Sequence, residues 1–304
     1  MEEQLKELRA LTAKARNRMT QTGIPRVAMV QGKIPEHELS AVYDPMVNLI
    51  LQGSKSMTVG DRTLHYCPAN YFVMSVDLPA VGTVWPAATG EPYLAVALTL
   101  EPTVVAGLIA DLPKPARTEK ADSGFSVAAV TPDLMDAWVR MLRLMERPAD
   151  IAALAPAYER EILYRVLQGP QGAMLRDIAA PDSAIGRISL AIQSIRRDFA
   201  QPLRVEDLAR TAAMSSSAFH RHFKAVTAMS PMQYQKRIRL LQARTLLVVG
   251  GQSVTRAAFE VGYESPTQFS REYARAFGLA PRRDAQQIMA KYTPPGEGEA
   301  RRST

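Results

Sequence analysis

Cysteine is almost missing: Cys67 stands alone among 304 residues, which excludes an internal disulfide and any thiolate-rich zinc site. Histidine is nearly as scarce, with four residues, and in the first half His37 and His65 stand far apart. Metal-dependent oxygenase or isomerase chemistry needs a cluster of histidines and carboxylates, so no metal, no other cofactor and no catalytic residue is expected, and the chain reads as something other than an enzyme. Long apolar runs are lacking too. None approaches the roughly 18 residues of a membrane-crossing helix, and the amino-terminal "MEEQLKELRALTAKARNRM" is a charged amphipathic helix unlike a secretory signal. A cytoplasmic protein with no membrane partner is expected. "VGDRT" (59–63) lacks the glycine pattern of a phosphate loop and reads as a hairpin turn.

What the chain does have is length for two cores and an uneven charge. Residues 183–304 carry 19 Lys and Arg against 9 Asp and Glu, while residues 1–182 carry 18 against 21. All the basic excess lies in the last two-fifths. Such a balance marks a polyanion-binding module joined to something else, and nucleic acid is the commonest polyanion for a soluble chain.

The first part alternates strand-like runs with turn residues: "MVNLILQG", "KSMTVG", "TLHYC", "NYFVMSVD" and "PYLAVALTLE" follow one another between residues 46 and 101. Leu94, Val96, Leu98 and Leu100 alternate as a single buried face would. A small barrel or sandwich is implied, with helical patterns following over 133–146 and 151–168. The Gly- and Pro-rich passage 169–184 reads as the domain boundary, with Asp182 as the cap of the next helix.

Beyond it, a two-helix pattern occurs twice. In 203–231, Val205, Leu208, Ala209 and Ala212 space a short amphipathic helix, and Ser215 or Ser216 caps a second helix with Phe219, Phe223 and Val226 inward. In 253–281, Val254, Ala257, Ala258 and Val261 repeat the first helix, and Phe269 and Tyr273 repeat the second. The second turn holds one extra residue, around Tyr263 and Glu264. Ser265 caps the last helix, Pro266 fits its first position, and Gly278 stops it. Between the copies, "MQYQKRIRLLQARTLL" predicts a helix of about 24 Å, a spacer of the order needed to bring two reading helices into adjacent major grooves about 34 Å apart.

The second helix of each copy has a polar face: Ser217, His220, Arg221 and Lys224 in the first, Thr267, Gln268, Arg271 and Arg275 in the second. Such groups can pair with base edges and hold phosphate, and these eight are the expected DNA contacts. His222 turns toward the helix core and reads as packing.

"DLARTAAMSSSAFHRHFK" and "AAFEVGYESPTQFSREYARAFG" resemble the two helix-turn-helix motifs of the AraC/XylS family of bacterial transcription regulators. The amino-terminal "YDPMVNLILQGSKSMTVGDRTLHYCPANYFVMSVDLPAVGTV" resembles that family's regulatory domain. The resemblance implies an α+β two-domain chain: a cupin-like β-barrel with flanking helices over 1–180, then an all-α tandem helix-turn-helix domain over 181–304, with units at about 203–226 and 253–277. It implies a transcription regulator, activation included, with double-stranded DNA and RNA polymerase as partners, a small-molecule effector in the first domain and a possible homodimer. Small Ser217 and rigid Pro266 stand where some relatives carry larger side chains. Tyr43, Tyr66 and Trp85 are the expected effector contacts, with Tyr71 a fourth candidate, although all could be core. Cys67, with no nearby cation in sequence, reads as a buried small hydrophobe rather than a reactive thiol. The alternatives are a first domain that only dimerises, or a barrel enzyme with a basic tail.

Overall fold

The computed structural model describes residues 1–15, 18–32, 37–113, 121 and 123–292, in two compact units. The first contains Met1–Ile192 and Glu206–Pro231, the second Gln193–Val205 and the described residues from Met232 onward. The chain therefore passes from one to the other three times. The sequence division at 180/181 leaves the first helix-turn-helix copy with the basic module, whereas compactness groups it with the amino-terminal unit.

The first unit opens with α1 (Glu2–Thr12) and ten strands. β1 (Arg18–Gln21), β2 (Val27–Gly32), β9 (Tyr93–Thr99), β4 (Met46–Gln52), β7 (Asn70–Met74) and β10 (Phe125–Ala129) form one sheet in that spatial order. β3 (His37–Tyr43), β8 (Leu78–Trp85), β5 (Ser54–Val59) and β6 (Arg62–Tyr66) form the other. All strand pairings among the described residues are antiparallel, as hairpin-rich sequence with turns at Gly53 and Gly60 dictates.

β9 corrects the expectation of one buried face. Leu94, Val96 and Leu98 are buried, but so are Tyr93 and Ala95. The register explains why: Val96 lies beside Leu49 and Leu98 beside Val47 on one face, while Ala95 lies beside Ile50 and Ala97 beside Asn48 on the other. A helix layer covers the first of these faces. α1 packs on β4 and β9, and α3 (Pro132–Arg143), α4 (Ile151–Gln168), α2 (Pro102–Ala110) and α5 (Gly172–Ala179) pack in turn on one another. Tyr71, on the covered face, donates to Gln171 Oε1 at 2.5 Å and so belongs to this layer.

Arg26 and Glu159 tie strand to helix. Arg26 Nε donates to Glu159 Oε1 at 3.0 Å, its second nitrogen pairs with Oε2, and the carboxylate is buried. Removing the cation would strand a buried charge. Arg26→Met is expected to destabilise the chain by about 2 kcal/mol, less than a fully buried pair would cost because about a third of the Arg26 side chain stays in water. Adding Glu159→Gln should recover part of the loss in urea unfolding followed by the fluorescence of buried Trp138.

The 169–184 passage holds a helix as well as a boundary. Gly172 opens α5 with its α-carbon so close to Leu167 that a Cβ would meet the Leu167 carbonyl oxygen at 2.1 Å. Glycine here permits a tight reversal between α4 and α5. The next helix, α6 (Ala184–Arg197), is capped by Ser183, whose hydroxyl accepts from Gly186 N at 2.9 Å. Asp182 is fully exposed instead. Ile185, Ile188, Ala191, Ile192 and Ile195 are buried along α6 as their spacing predicts.

The carboxyl-terminal helices are α7 (Val205–Thr211), α8 (Ser216–Thr227), α9 (Pro231–Val248), α10 (Val254–Glu260), α11 (Pro266–Phe277) and α12 (Pro281–Tyr292). α9 has 18 residues, about 27 Å of helix. In the second unit a core of Leu240, Ala243, Leu247, Ala257, Ala258, Val261, Tyr263, Phe269, Tyr273 and Ala285 joins α9 to α12. Arg239 on α9 donates to the carbonyls of Phe199, Ala200, Gln201 and Gly262, fixing the turn between α10 and α11. Gly262 suits that turn, with φ of +87° and room for no Cβ beside the Ala200 carbonyl.

No described helix is long and apolar enough to cross a membrane, and no three or more described His, Cys, Asp or Glu gather as a metal site. The side chain of His37 lies outside the described residues.

Candidate nucleic-acid interface

α8 begins where Ser215 Oγ accepts from Ala218 N at 3.4 Å. Phe219, Phe223 and Val226 are buried, with the two phenyl rings 5.4 Å apart. The opposite face leaves Ser217, His220, Arg221 and Lys224 exposed. His222 is half-buried, consistent with packing. The helix ends at Ala228 in the left-handed conformation, φ +55°.

α11 repeats this construction in the second unit. Ser265 Oγ accepts from Gln268 N at 3.3 Å, Pro266 takes the first helical position, and Gly278 ends the helix at φ +76°. Phe269 and Tyr273 are fully buried; Thr267, Gln268, Arg271 and Arg275 are exposed. The turn before α11 is one residue longer than that before α8, and Tyr263 uses the extra length to stack edge-on against Phe269 at 5.3 Å. None of Arg221, Lys224, Arg271 or Arg275 forms an ion pair with a described carboxylate.

One contact fixes the Gln268 side chain. Gln268 Nε2 donates to Glu272 Oε1 at 3.3 Å, while Tyr263 and Lys236 hold Glu272 Oε2 at 2.9 and 3.0 Å. Burial pushes the Glu272 carboxyl up, but the hydrogen bonds from Lys236, Tyr263 and Gln268 outweigh it, and the group lies below the usual carboxylate range. A charged Glu272 thus orients the Gln268 amide. Its Oε1 and second Nε2 hydrogen remain for the paired donor and acceptor of an adenine edge.

In the barrel, Tyr43 and Tyr66 come together with Lys55, Asn48 and Tyr93, which the sequence reading passed over. The Lys55 ammonium lies 5.2 Å from the Tyr43 ring centre, and a Cβ on Gly82 would stand 2.8 Å from the Tyr43 hydroxyl and 3.0 Å from Lys55 Cε. Lys55 pairs across the hairpin with Tyr66, whose hydroxyl reaches Asn48 Oδ1 at 3.4 Å. Burial and the neighbouring Tyr93 and Tyr43 push Tyr66 well above its ordinary value. The Tyr93 hydroxyl is buried with no hydrogen-bond partner among the described residues. Burial alone pushes Lys55 down to about 8, with no described carboxylate acting on it. Trp85 ends β8 on the face opposite buried Val84 and is not brought to this group. Cys67 is exposed rather than buried, because it lies in the turn after β6, past the last strand position. The missed signal was period two: Lys55, Met57 and Val59 share one buried face of β5, a pattern in which the lysine looks like a surface residue.

Comparison with known proteins gives two family models. One, described as the AraC-type transcriptional regulator N-terminus, matches residues 23–174, and a helix-turn-helix domain matches residues 208–287. The chain is 31% identical over 147 residues to the HTH-type transcriptional activator RhaS of Klebsiella pneumoniae, covering 47% of this chain and 50% of that one. RhaS of Yersinia pseudotuberculosis is 31% identical over 137 residues, covering 45% and 48%. The chain thus spans about half the length of the curated relatives it matches. Among solved structures, ToxT of Vibrio cholerae bound to an unsaturated fatty acid aligns with a TM-score of 0.54 at 11% identity, over 84% of this chain and 94% of that one.

Proposed function

Because the chain belongs to the AraC-type transcriptional regulators, whose amino-terminal model alone takes in half of its residues, we propose that it binds double-stranded DNA sequence-specifically through α8 and α11. The observation that carries this reading is the repetition: two helices with the same serine cap and the same aromatic core stripe expose two faces of base-pairing groups and cations that form no ion pair with a described carboxylate. Ser217, His220 and Arg221 read one sub-site and Thr267, Gln268 and Arg271 the other, while Lys224 and Arg275 hold phosphate. The protein acts in the cytoplasm on RNA polymerase recruitment, as a homodimer on paired sites, and has no enzymatic activity.

A small-molecule effector sits in the barrel interior against Tyr43, Tyr66, Lys55 and Tyr93. The unpartnered Tyr93 hydroxyl supports this placement, as does the fatty acid bound by a protein of the same fold.

The test is selection of DNA from a random pool by the full chain at two salt concentrations. Two short sub-sites about one helical turn apart are expected. Gln268→Ala and Arg271→Ala should each cost on the order of 1–3 kcal/mol at the selected site and relax preference at one position. Variants that discriminate the selected site from a mutated one as well as the parent does would remove α11 from base readout.

A further inference from the structure

The exposed face of α8 is bordered by the barrel. Asp61 and Arg62, at the β5–β6 turn, join Ser217, His220, Arg221 and Lys224 around an open groove of about 660 Å³. Two glycines seat the end of α8 there. Gly60, at φ +60°, lies so near the Ala228 carbonyl that a Cβ would stand 2.1 Å from its oxygen, and Gly124 N donates to the Val226 carbonyl at 3.1 Å. Arg62 is held in place: one guanidinium nitrogen donates to Ser123 Oγ at 3.1 Å and the group lies over the Phe125 ring at 5.5 Å. Arg62 is exposed and lines the groove with two further cations, Arg221 and Lys224.

We propose that the β5–β6 turn is part of the DNA-binding surface and that Arg62, with Lys224 and beside base-reading Arg221, takes a backbone phosphate of the duplex read by α8. This rests on the reading of α8 as a DNA-contacting helix. A reading helix places its amino-terminal residues on base edges, so its other end runs out toward the sugar-phosphate strand that walls the groove. The turn stands at that end. Three cations against one carboxylate give the site the sign a phosphate requires, and a guanidinium already fixed by Ser123 and Phe125 loses little freedom on binding.

The experiment is fluorescence-anisotropy titration of the full chain on its selected DNA across a salt series. Arg62→Ala should weaken binding on the order of fivefold and reduce the steepness of the salt dependence by about one ion, with Arg62→Lys retaining the slope. Asp61→Asn should tighten binding about twofold, an outcome that misfolding cannot imitate. Unchanged or tighter binding by Arg62→Ala, with parental slope, would overturn the contact and make the turn an obstacle to DNA instead. A parent chain with no salt-dependent DNA binding would overturn the reading of α8 as well, so the two failures are distinct.

Discussion

Asp284→Ala should lower the stability of the second unit on the order of 3–5 kcal/mol and abolish the DNA recognition proposed for α11. Asp284 is buried on α12 and accepts from Arg244 Nε at 2.8 Å, from the second Arg244 nitrogen at 2.9 Å and from the Tyr273 hydroxyl at 2.7 Å. Alanine would remove the carboxylate from a guanidinium that keeps only 20% of its side-chain surface in water. It would also leave a buried phenol without its acceptor. Truncating one partner of a buried charged network costs far more than the network contributes over an apolar replacement, which sets the size of the effect. The damage reaches function because Tyr273 is the fully buried anchor of α11, and Arg244 lies 4.5 Å from the ring centre of Phe277 on the same helix. Asp284→Asn, whose amide oxygen in the place of Oδ2 would still accept from Arg244 Nε and the Tyr273 hydroxyl but carries no charge, should fall between. Urea unfolding of the full chain, with binding to the selected DNA measured in parallel, separates the variants; parental stability in Asp284→Ala would show that the network is dispensable.

The second large effect has the opposite sign. Lys55→Met should stabilise the protein at neutral pH, by about 1–3 kcal/mol. Burial lowers the Lys55 ammonium to about 8, whereas in the unfolded chain it titrates near 10.4. Below pH 8 both states carry the proton, and the folded state bears the full cost of a buried charge. Between about pH 8 and 10.4 the unfolded chain binds more protons than the folded one, so stability rises with pH through that window and levels off above it. The wild-type chain should therefore gain stability from pH 8 to 10, and Lys55→Met should lose that component. Denaturant midpoints at pH 7, 8, 9 and 10 check both statements. A methionine variant that is less stable at pH 7 would mean that the ammonium has a compensating partner and is structural.

The outcome also explains what could be read from sequence. Helix faces were legible because period 3.6 is local: Phe219, Phe223, Phe269 and Tyr273 are all buried, and the caps Ser215 and Ser265 follow from a hydroxyl three residues before an unsatisfied amide. The strand runs were legible for the same reason. Lys55 was not: alternation with Met57 and Val59 puts it on the buried face, but a lysine reads as a surface residue by type, and only the register with β8 and β6 identifies its neighbours. The Arg244–Asp284 pair spans 40 residues and leaves no periodic trace. Asp182 and Ser183 are equally good caps by composition, and the choice depends on where the backbone turns after α5. The grouping of α8 with the barrel rests on backbone contacts at Gly60 and Gly124, and a glycine in sequence announces freedom without saying what approaches it.

The threefold passage of the chain between its units has a consequence for its synthesis. Segment 193–205 leaves the ribosome early but belongs with residues that follow 231, while 206–231 belongs with residues already made. The emerging polypeptide can complete the barrel body, α8 included, with its two-site competence still missing. The early piece of the other body must wait for α9 to α12, a delay of the kind that makes non-local contacts slow to form and exposes apolar surface meanwhile. Premature termination after 231 would accordingly release a product with α8 on a finished scaffold but without α9 to α12, and so with only one of the two helices proposed to contact DNA.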